Sequence, residues 1–271
     1  MILTIDAGNS RTKWGVFDAS HVLIATGVFA NTEYPILPPA SWANCQLAVV
    51  ACVAGESVAD NIDHLLAKVG VSARFMQASA SACGLENGYD NPAQLGIDRW
   101  AAMLAAWQQY KAPCVVVNAG TAVTLDVIAM LSSDDGKDPA RQARFMGGLI
   151  LPGLQLMQSS LCDNTAQIKS RSLESTTADL PAFQRLATNT ASAVHSGALA
   201  ANIYLIKAML SQSQAHASEQ ILCVLSGGDA AVFKTALDTF PPINLTTVII
   251  LEPHLVLKGL HLLHYEYTAN T

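Results

Sequence analysis

The feature that most limits how this chain can fold is a pattern that occurs twice. Near the N-terminus the apolar run Ile2-Leu3-Thr4-Ile5 ends in Asp6 and gives way to Ala7-Gly8-Asn9-Ser10. Thr12, Trp14 and Val16 then alternate with Arg11, Lys13 and Gly15. Alternation at period two marks a strand with one face inward, so the stretch reads as strand, glycine turn and returning strand. The same sequence of events recurs where Cys114–Val117 runs into Asn118-Ala119-Gly120-Thr121 and a β-like segment continues to Ile128, with Gly120 lying 112 positions after Gly8. A hairpin repeated at that distance points to two related domains, residues 1–112 and 113–271.

The segments between and beyond the hairpins alternate strand with helix, which is the pattern of an α/β protein. Leu47–Val53 is an apolar strand, Ala59–Val69 an amphipathic helix, and Arg99–Tyr110 an Ala- and Trp-rich helix closed by Pro113. In the second half Phe145–Leu151 reads as a strand and Thr188–Leu210 as a long helix. Ile221–Leu225 is a strand stopping at Ser226-Gly227-Gly228-Asp229, Val248–Leu251 a late strand, and His254–Tyr265 the closing helix. The polar stretch Ser132–Arg144, with Asp134, Asp135, Gly136 and Pro139, reads as an exposed loop.

Composition excludes several classes of function. With 51% hydrophobic and 13% charged residues the chain fills a core and is not an extended disordered one. A net charge of −6 with no Lys/Arg cluster argues against nucleic acid as a partner. The longest uninterrupted apolar runs, such as Leu47–Ala54, are strand-sized, so no membrane span is expected. The first residues read as a core strand and not as a cleavable leader, which points to the cytoplasm. Six scattered cysteines without a CxxC pair read as buried, reduced thiols. His261 and His264 share a helix face without a carboxylate or thiol partner, which is not a metal-ligand pattern.

Three glycine turns at strand ends carry the chemistry. Backbone N–H groups of a turn such as Asp6–Ser10 form a nest for phosphate oxygens, and Gly8 is expected to adopt a conformation closed to other residues. Asp6 is suited to Mg²⁺, which keeps several waters and uses few carboxylates, and the Lys13 ammonium on the returning strand is suited to the β/γ-phosphates. Gly120-Thr121-Ala122 and Ser226-Gly227-Gly228-Asp229 add two more such turns. An ordinary hairpin, in which Asp and Asn simply favour turns, is the alternative for the first turn taken alone. The chain has neither GxxxxGK[ST] nor GxGxxG after a strand, so the P-loop and dinucleotide-binding folds do not apply.

Further stretches make the pattern specific: Asn87-Gly88-Tyr89-Asp90-Asn91-Pro92, Leu95-Gly96-Ile97-Asp98-Arg99-Trp100 and Gly147-Gly148-Leu149-Ile150-Leu151-Pro152-Gly153. With Asn189–Ala193 and Leu257-Lys258-Gly259-Leu260 they follow one another in an order that resembles the type III pantothenate kinases, from Asp6 to about Gly259. The resemblance implies two RNase H-like domains of the actin-like phosphotransferase architecture flanking a nucleotide cleft. It implies ATP-dependent phosphorylation of pantothenate, the first step of coenzyme A biosynthesis, by a homodimer. By the same resemblance Asp98 is the proton acceptor for the pantothenate hydroxyl, and Tyr89, Gly96, Ile97 and Arg99 line the pantothenate pocket. Asp6, Ala7, Gly8, Asn9, Ser10, Arg11, Thr12, Lys13 and Thr121 hold ATP with Mg²⁺, and Thr190 completes a pocket across the dimer interface.

One position departs from the family pattern. Many members carry Asp where this chain has Asn118, and there it holds a monovalent cation, K⁺ or NH₄⁺. Asn118 offers a carbonyl oxygen without charge, so K⁺ dependence is expected to be weak or absent. The same departure leaves room for an alternative, a non-catalytic accessory or regulatory protein of the same fold.

Several residues also have structural readings. Asp98 directly precedes a helix read over Arg99–Tyr110 and suits an N-cap. Arg99 can pair with a surface carboxylate. Trp100, Trp107 and Tyr110 fall on one side of their helix, as core residues do. Lys13 acts on phosphate only if the cleft lies on its face of the strand, and Asp126 reads either as an approach to the metal or as part of an exposed strand face. Glycines 147, 148 and 153 read as a tight connection with close backbone packing.

Overall fold

A computed structural model of the 271-residue chain describes residues 1–131, 142–165, 183–240 and 247–269. Its strands are β1 (Ile2–Ala7), β2 (Arg11–Phe17), β3 (Leu23–Ala30), β4 (Leu47–Cys52), β5 (Ser72–Phe75), β6 (Ser81–Ala82), β7 (Leu85–Asn87), β8 (Cys114–Ala119), β9 (Ala122–Met130), β10 (Ala143–Pro152), β11 (Leu222–Ser226) and β12 (Val248–Leu251). The α-helices are α1 (Glu56–Ala67), α2 (Ile97–Tyr110), α3 (Leu154–Asn164), α4 (Thr190–Ala215), α5 (Ala230–Thr239) and α6 (Leu255–Ala269). Most of the polar stretch expected to be a loop lies outside the described residues. Its last two, Ala143 and Arg144, already belong to β10.

The chain gathers into two compact units: residues 1–111, 128–147 and 254–271 form the first, and residues 112–127 and 148–253 the second. One cut falls at Lys111/Ala112, but the units are not two consecutive stretches, because the first unit also takes residues 128–147 and the C-terminal helix. The physical reason is local. Gly259 of α6 lies so close to α2 that a Cβ there would stand 1.8 Å from the Ala101 carbonyl oxygen. Only glycine lets these two backbones meet.

The first unit is built on a five-stranded sheet ordered β3-β2-β1-β4-β5. β1, β2 and β3 form an antiparallel meander, and β4 and β5 run parallel to β1. Strand alternation sorts the side chains. Leu3, Ile5, Ala7 and Val16 face the layer that buries Ile62, Leu65 and Leu66 of α1. On the opposite face a Cβ at Gly15 would stand 3.2 Å from Leu257 Cδ1 of α6, and Phe17 stacks on His261 with centroids 4.0 Å apart. His261 also meets His21 of the β2–β3 turn, Nε2 to Nδ1 3.1 Å. Among the described residues no group of three or more His, Cys, Asp or Glu side chains gathers as a metal site.

α2 buries nearly its whole length, Trp100 and Trp107 included. It ends at Lys111 in the left-handed region (φ 47°), whose N–H donates to the Trp107 carbonyl, ahead of Pro113.

The second sheet is ordered β12-β11-β8-β9-β10-β7-β6. Its first five strands repeat the order of the first sheet, with β8 to β12 in the places of β1 to β5, and β11 and β12 again run parallel to the founding strand. The hairpin repeat in the sequence is therefore a duplicated topology, and each copy has the RNase H-like order. The fold is α/β of the actin-like kind.

The core of the second unit joins Val115, Val117 and Leu125 to Leu199, Ile203, Ile206, Leu225 and Phe233. Among the described residues α4 is long and apolar enough, by length and composition alone, to cross a membrane. Yet it buries Ser192, His195, Ser196, Asn202 and Lys207, and Lys207 Nζ donates to the Phe240 carbonyl at 2.8 Å. A helix that buries five polar side chains, with the Lys207 ammonium bonded to a backbone carbonyl and Ile203 and Ile206 in the core cluster, packs as a core element of its unit.

Candidate active site

In the first unit the β1–β2 register sets Asp6 opposite Lys13, so both side chains leave the sheet on the face that α2 and α6 cover. Lys13 shares a face with Asp6 and is half-buried. Burial pushes the Asp6 carboxyl up to about 6, against the opposing pull of the Lys13 ammonium and with a further push from the negative charge of Asp98. Two carboxylates and a lysine thus feel one another at the end of β1. The next pair along, Ala7 and Thr12, points to the opposite layer. Both are fully buried, and the Thr12 hydroxyl donates to Asn31 Oδ1 at 2.9 Å.

Between the strands the Gly8 N–H donates to the Arg11 carbonyl at 3.1 Å. The expected special conformation at Gly8 is not found. Gly8 is not among the residues of positive φ, and a Cβ there would meet only the Arg11 oxygen at 3.5 Å, an ordinary contact. What glycine leaves at this point is uncovered backbone.

The first turn of α2 carries the next two groups. The helix begins at Ile97 with Gly96 as its N-cap, so Asp98 lies two residues into the helix and is not the cap. It sits where the helix dipole favours a negative charge. Its carboxylate folds back over Gly96, where a Cβ would stand 2.6 Å from Asp98 Oδ1. Gly96 therefore makes room for the acid beside Asp6. Arg99, one residue on, turns away from Asp98 and is only 5% exposed, so it is a buried side chain and not a surface one.

Arg99 Nη1 donates to the Tyr89 hydroxyl at 2.7 Å. Its guanidinium lies 5.6 Å from the Tyr89 ring and 5.9 Å from the Phe145 ring, and the two rings stack. Aromatic faces favour the cation. The segment before α2 holds this arrangement. Buried Asn87 accepts from the Tyr89 N–H at 3.1 Å and donates to Ser79 O at 3.0 Å. Gly88 permits contact with β10, since a Cβ there would stand 1.9 Å from Phe145 O.

In the second unit three glycine turns meet around the end of β8. Gly153, the N-cap of α3, donates its N–H to the Thr121 carbonyl at 2.9 Å, and a Cβ on it would stand 2.0 Å from Gly120 O. Gly227 has φ +99° and packs on Ala119, whose carbonyl accepts from the Asp229 N–H at 3.0 Å. Thr121 is exposed at the tip, and Asn118 is half-buried opposite Ser226. Asp126 is 1% exposed, so the exposed-face reading is wrong for it. Thr190 begins α4 behind its cap Asn189, whose side chain accepts from Ser192 N, and it lines an open groove of ≈ 590 Å³ with Leu161, Ala187 and Val194.

Two residues of the site escape sequence reasoning: Asn31, which ties down the β1–β2 turn, and Phe145, which backs Tyr89 and Arg99. Neither lies in a recognisable motif. Gly153 does lie in one, but its approach to Gly120 leaves no signal in the chain.

A profile of the type III pantothenate kinase family matches residues 2–212. The chain is 40% identical over 259 residues to a type III pantothenate kinase of Methylobacillus flagellatus, covering 96% of each chain. It is likewise 40% identical over 272 residues to that of Aromatoleum aromaticum, covering 99% of this chain and 100% of the relative. Among solved structures, it is similar to component A of (R)-2-hydroxyglutaryl-CoA dehydratase from Acidaminococcus fermentans, with TM-score 0.48, 13% identity and coverage of 99% and 98%. A match of that length to the family profile, and relatives aligned nearly end to end, place this chain in the type III pantothenate kinase family.

Proposed function

We propose that this chain transfers the γ-phosphoryl group of ATP to the primary hydroxyl of pantothenate, with Asp98 receiving the hydroxyl proton and Arg99 holding the pantothenate carboxylate. The observation that carries this reading is the divergence of two consecutive side chains on the first turn of α2. Asp98 lies over Gly96 within electrostatic reach of Asp6, and Arg99 turns to Tyr89 and Phe145. One helical turn thereby presents an acceptor for the alcohol end of the substrate and a cation for its carboxylate end.

Phosphoryl transfer asks little covalent chemistry of the protein, and positioning and electrostatics supply most of the acceleration. The β1–β2 turn and Lys13 receive the phosphates. Asp6 fits Mg²⁺. Burial disfavours its charge, a divalent cation relieves that penalty, and a single carboxylate suffices for an ion shared with substrate phosphates. When bound, Mg²⁺ neutralises charge on the β- and γ-phosphate oxygens. Asp98 orients the hydroxyl in line and takes its proton as the new O–P bond forms.

The enzyme works in the cytoplasm as a homodimer in which Thr190 completes the partner's pantothenate pocket. The groove at Thr190, together with exposed Leu161 and Leu186 beside it, supports the interface.

The test is ADP release coupled to a reporter, with pantothenate and Mg-ATP. Turnover that depends on pantothenate is expected. Asp98→Asn should keep the fold by circular dichroism and lose about 10²–10⁴ in kcat, the usual worth of a general base. An unchanged kcat removes Asp98 from the mechanism. In a K⁺ and NH₄⁺ series the rate should barely change because Asn118 lacks charge, and strict cation activation contradicts that reading. No turnover in any salt from folded protein overturns the kinase assignment itself.

A further inference from the structure

We propose that Asn31, just past the end of β3, is the positioning residue that makes the β1–β2 turn an anion-binding turn. The inference rests on the reading of that turn as the phosphate site and adds a residue to it. Four hydrogen bonds join Asn31 to the turn and its flank. The Asn31 backbone N–H donates to Ser10 O at 3.0 Å. Its side-chain Nδ2 donates to Gly8 O at 2.6 Å and to Asn9 O at 3.2 Å, and its Oδ1 accepts from the buried Thr12 hydroxyl at 2.9 Å. The amide orientation follows from its neighbours, because two carbonyls require a donor on one side and the Thr12 hydroxyl finds its acceptor on the other. Tyr34 stands behind the pair, its hydroxyl 3.4 Å from Thr12 Oγ1.

The consequence comes from the planarity of the peptide. In a trans unit the carbonyl of one residue and the N–H of the next point in opposite directions, and every described peptide bond is trans. Asn31 draws the carbonyls of Gly8, Asn9 and Ser10 to its own side. The N–H groups of Asn9, Ser10 and Arg11 are thereby aimed the other way. Successive N–H groups on one side of a turn form a concavity for an anion. A hairpin turn without such an anchor can rotate its peptide planes and turn oxygens toward the same space, which repels phosphate. Asn31 thus selects the peptide orientation, and Thr12 locks Asn31.

The experiment measures Mg-ADP and AMP binding by calorimetry for the wild type and for Asn31→Ala, Asn31→Asp and Lys13→Ala. Asn31→Ala should weaken Mg-ADP by about tenfold or more, the scale on which charge-assisted hydrogen bonds to phosphate act, and should leave AMP within about twofold. Asn31→Asp keeps the shape and the acceptor for Thr12 but removes the donor and places a negative charge against two carbonyls. It should bind Mg-ADP no better than Asn31→Ala. If Asn31 only packs, Asn31→Asp recovers wild-type affinity, and that result overturns the proposal. Should Asn31→Ala fail to fold, Thr12→Val removes only the hydroxyl that fixes the amide. It should weaken Mg-ADP by a smaller factor, and wild-type binding by both Thr12→Val and Asn31→Asp overturns the proposal. If Lys13→Ala weakens Mg-ADP while the Asn31 variants do not, the phosphate reading stands and the role of Asn31 falls. If none of them weakens it, the phosphate reading falls too.

Discussion

Asp6 links its position to the conditions the protein tolerates. Burial lifts its carboxyl from 3.8 to about 6, so the folded protein holds this proton more tightly than the unfolded chain does. Its contribution is fully present below the unfolded value near 4 and is lost as pH rises through about 6. A shift of that size corresponds to about 3 kcal/mol at most. The expected outcome is that the stability difference between wild type and Asp6→Asn, from urea unfolding without ligand, moves in favour of Asp6→Asn as pH rises from 4 to 7. Parallel profiles for the two proteins sink this account. Mg-ATP should protect the wild type increasingly over the same range, because the cation binds the ionised form. Asp6 and Lys13 are legible in the sequence because a period-two hairpin puts them in register. Asp98 is legible only by resemblance, since its own pattern suggests a helix cap, whereas the helix already begins at the residue before it. Asn31 is not legible at all: its work is done on backbone carbonyls 21 to 23 positions earlier, and backbone carbonyls leave no mark in a sequence.

At the scale of elements, the sequence patterns reveal uninterrupted apolar runs and long helical stretches, and miss a strand whose alternation is blurred. β4, α2 and β12 stand close to their expected limits, whereas β3 has no counterpart among the expected strands. Its Ile24, Thr26 and Val28 are exposed while Leu23, Ala25 and Phe29 are half-buried, so both sides read as apolar or β-branched and the alternation vanishes. Contact between elements is carried by glycines whose purpose shows only in three dimensions. Gly259→Ala drives a methyl to within 1.8 Å of Ala101 O and must push α6 off α2. Overpacking of this kind costs about 1–3 kcal/mol. Because α2 carries Asp98 and Arg99, kcat should fall along with the melting temperature. Gly197→Ala in α4 is the control: nothing lies within 4 Å of its Cβ, so it should stabilise by up to about 1 kcal/mol through helix propensity. Equal effects from the two substitutions refute the packing account.

The whole molecule repeats one strand order twice, yet its first unit is not a contiguous piece of chain. Residues 1–112 contain the first sheet, α1 and α2, and a boundary drawn from the hairpin repeat treats them as a domain. In the structure that unit also holds α6, which buries Leu255, Val256, Leu257, Leu260 and Leu263. At roughly 1.5–3 kcal/mol for each buried aliphatic side chain, α6 contributes on the order of 10 kcal/mol before the entropy of ordering it is counted. Domains as a whole are stable by only about 5–15 kcal/mol. A fragment of residues 1–112 would lack this cover over Gly15, Phe17 and the Ala101 face of α2, and it would lack the start of β10, which pairs with β7. We expect it to show no cooperative thermal transition. The full chain shortened by residues 254–271 should likewise lose the transition or bind no Mg-ADP. A fragment of residues 1–112 that melts cooperatively near the temperature of the intact protein would mean that the first sheet is self-sufficient and that α6 is an accessory to it, not a founding layer.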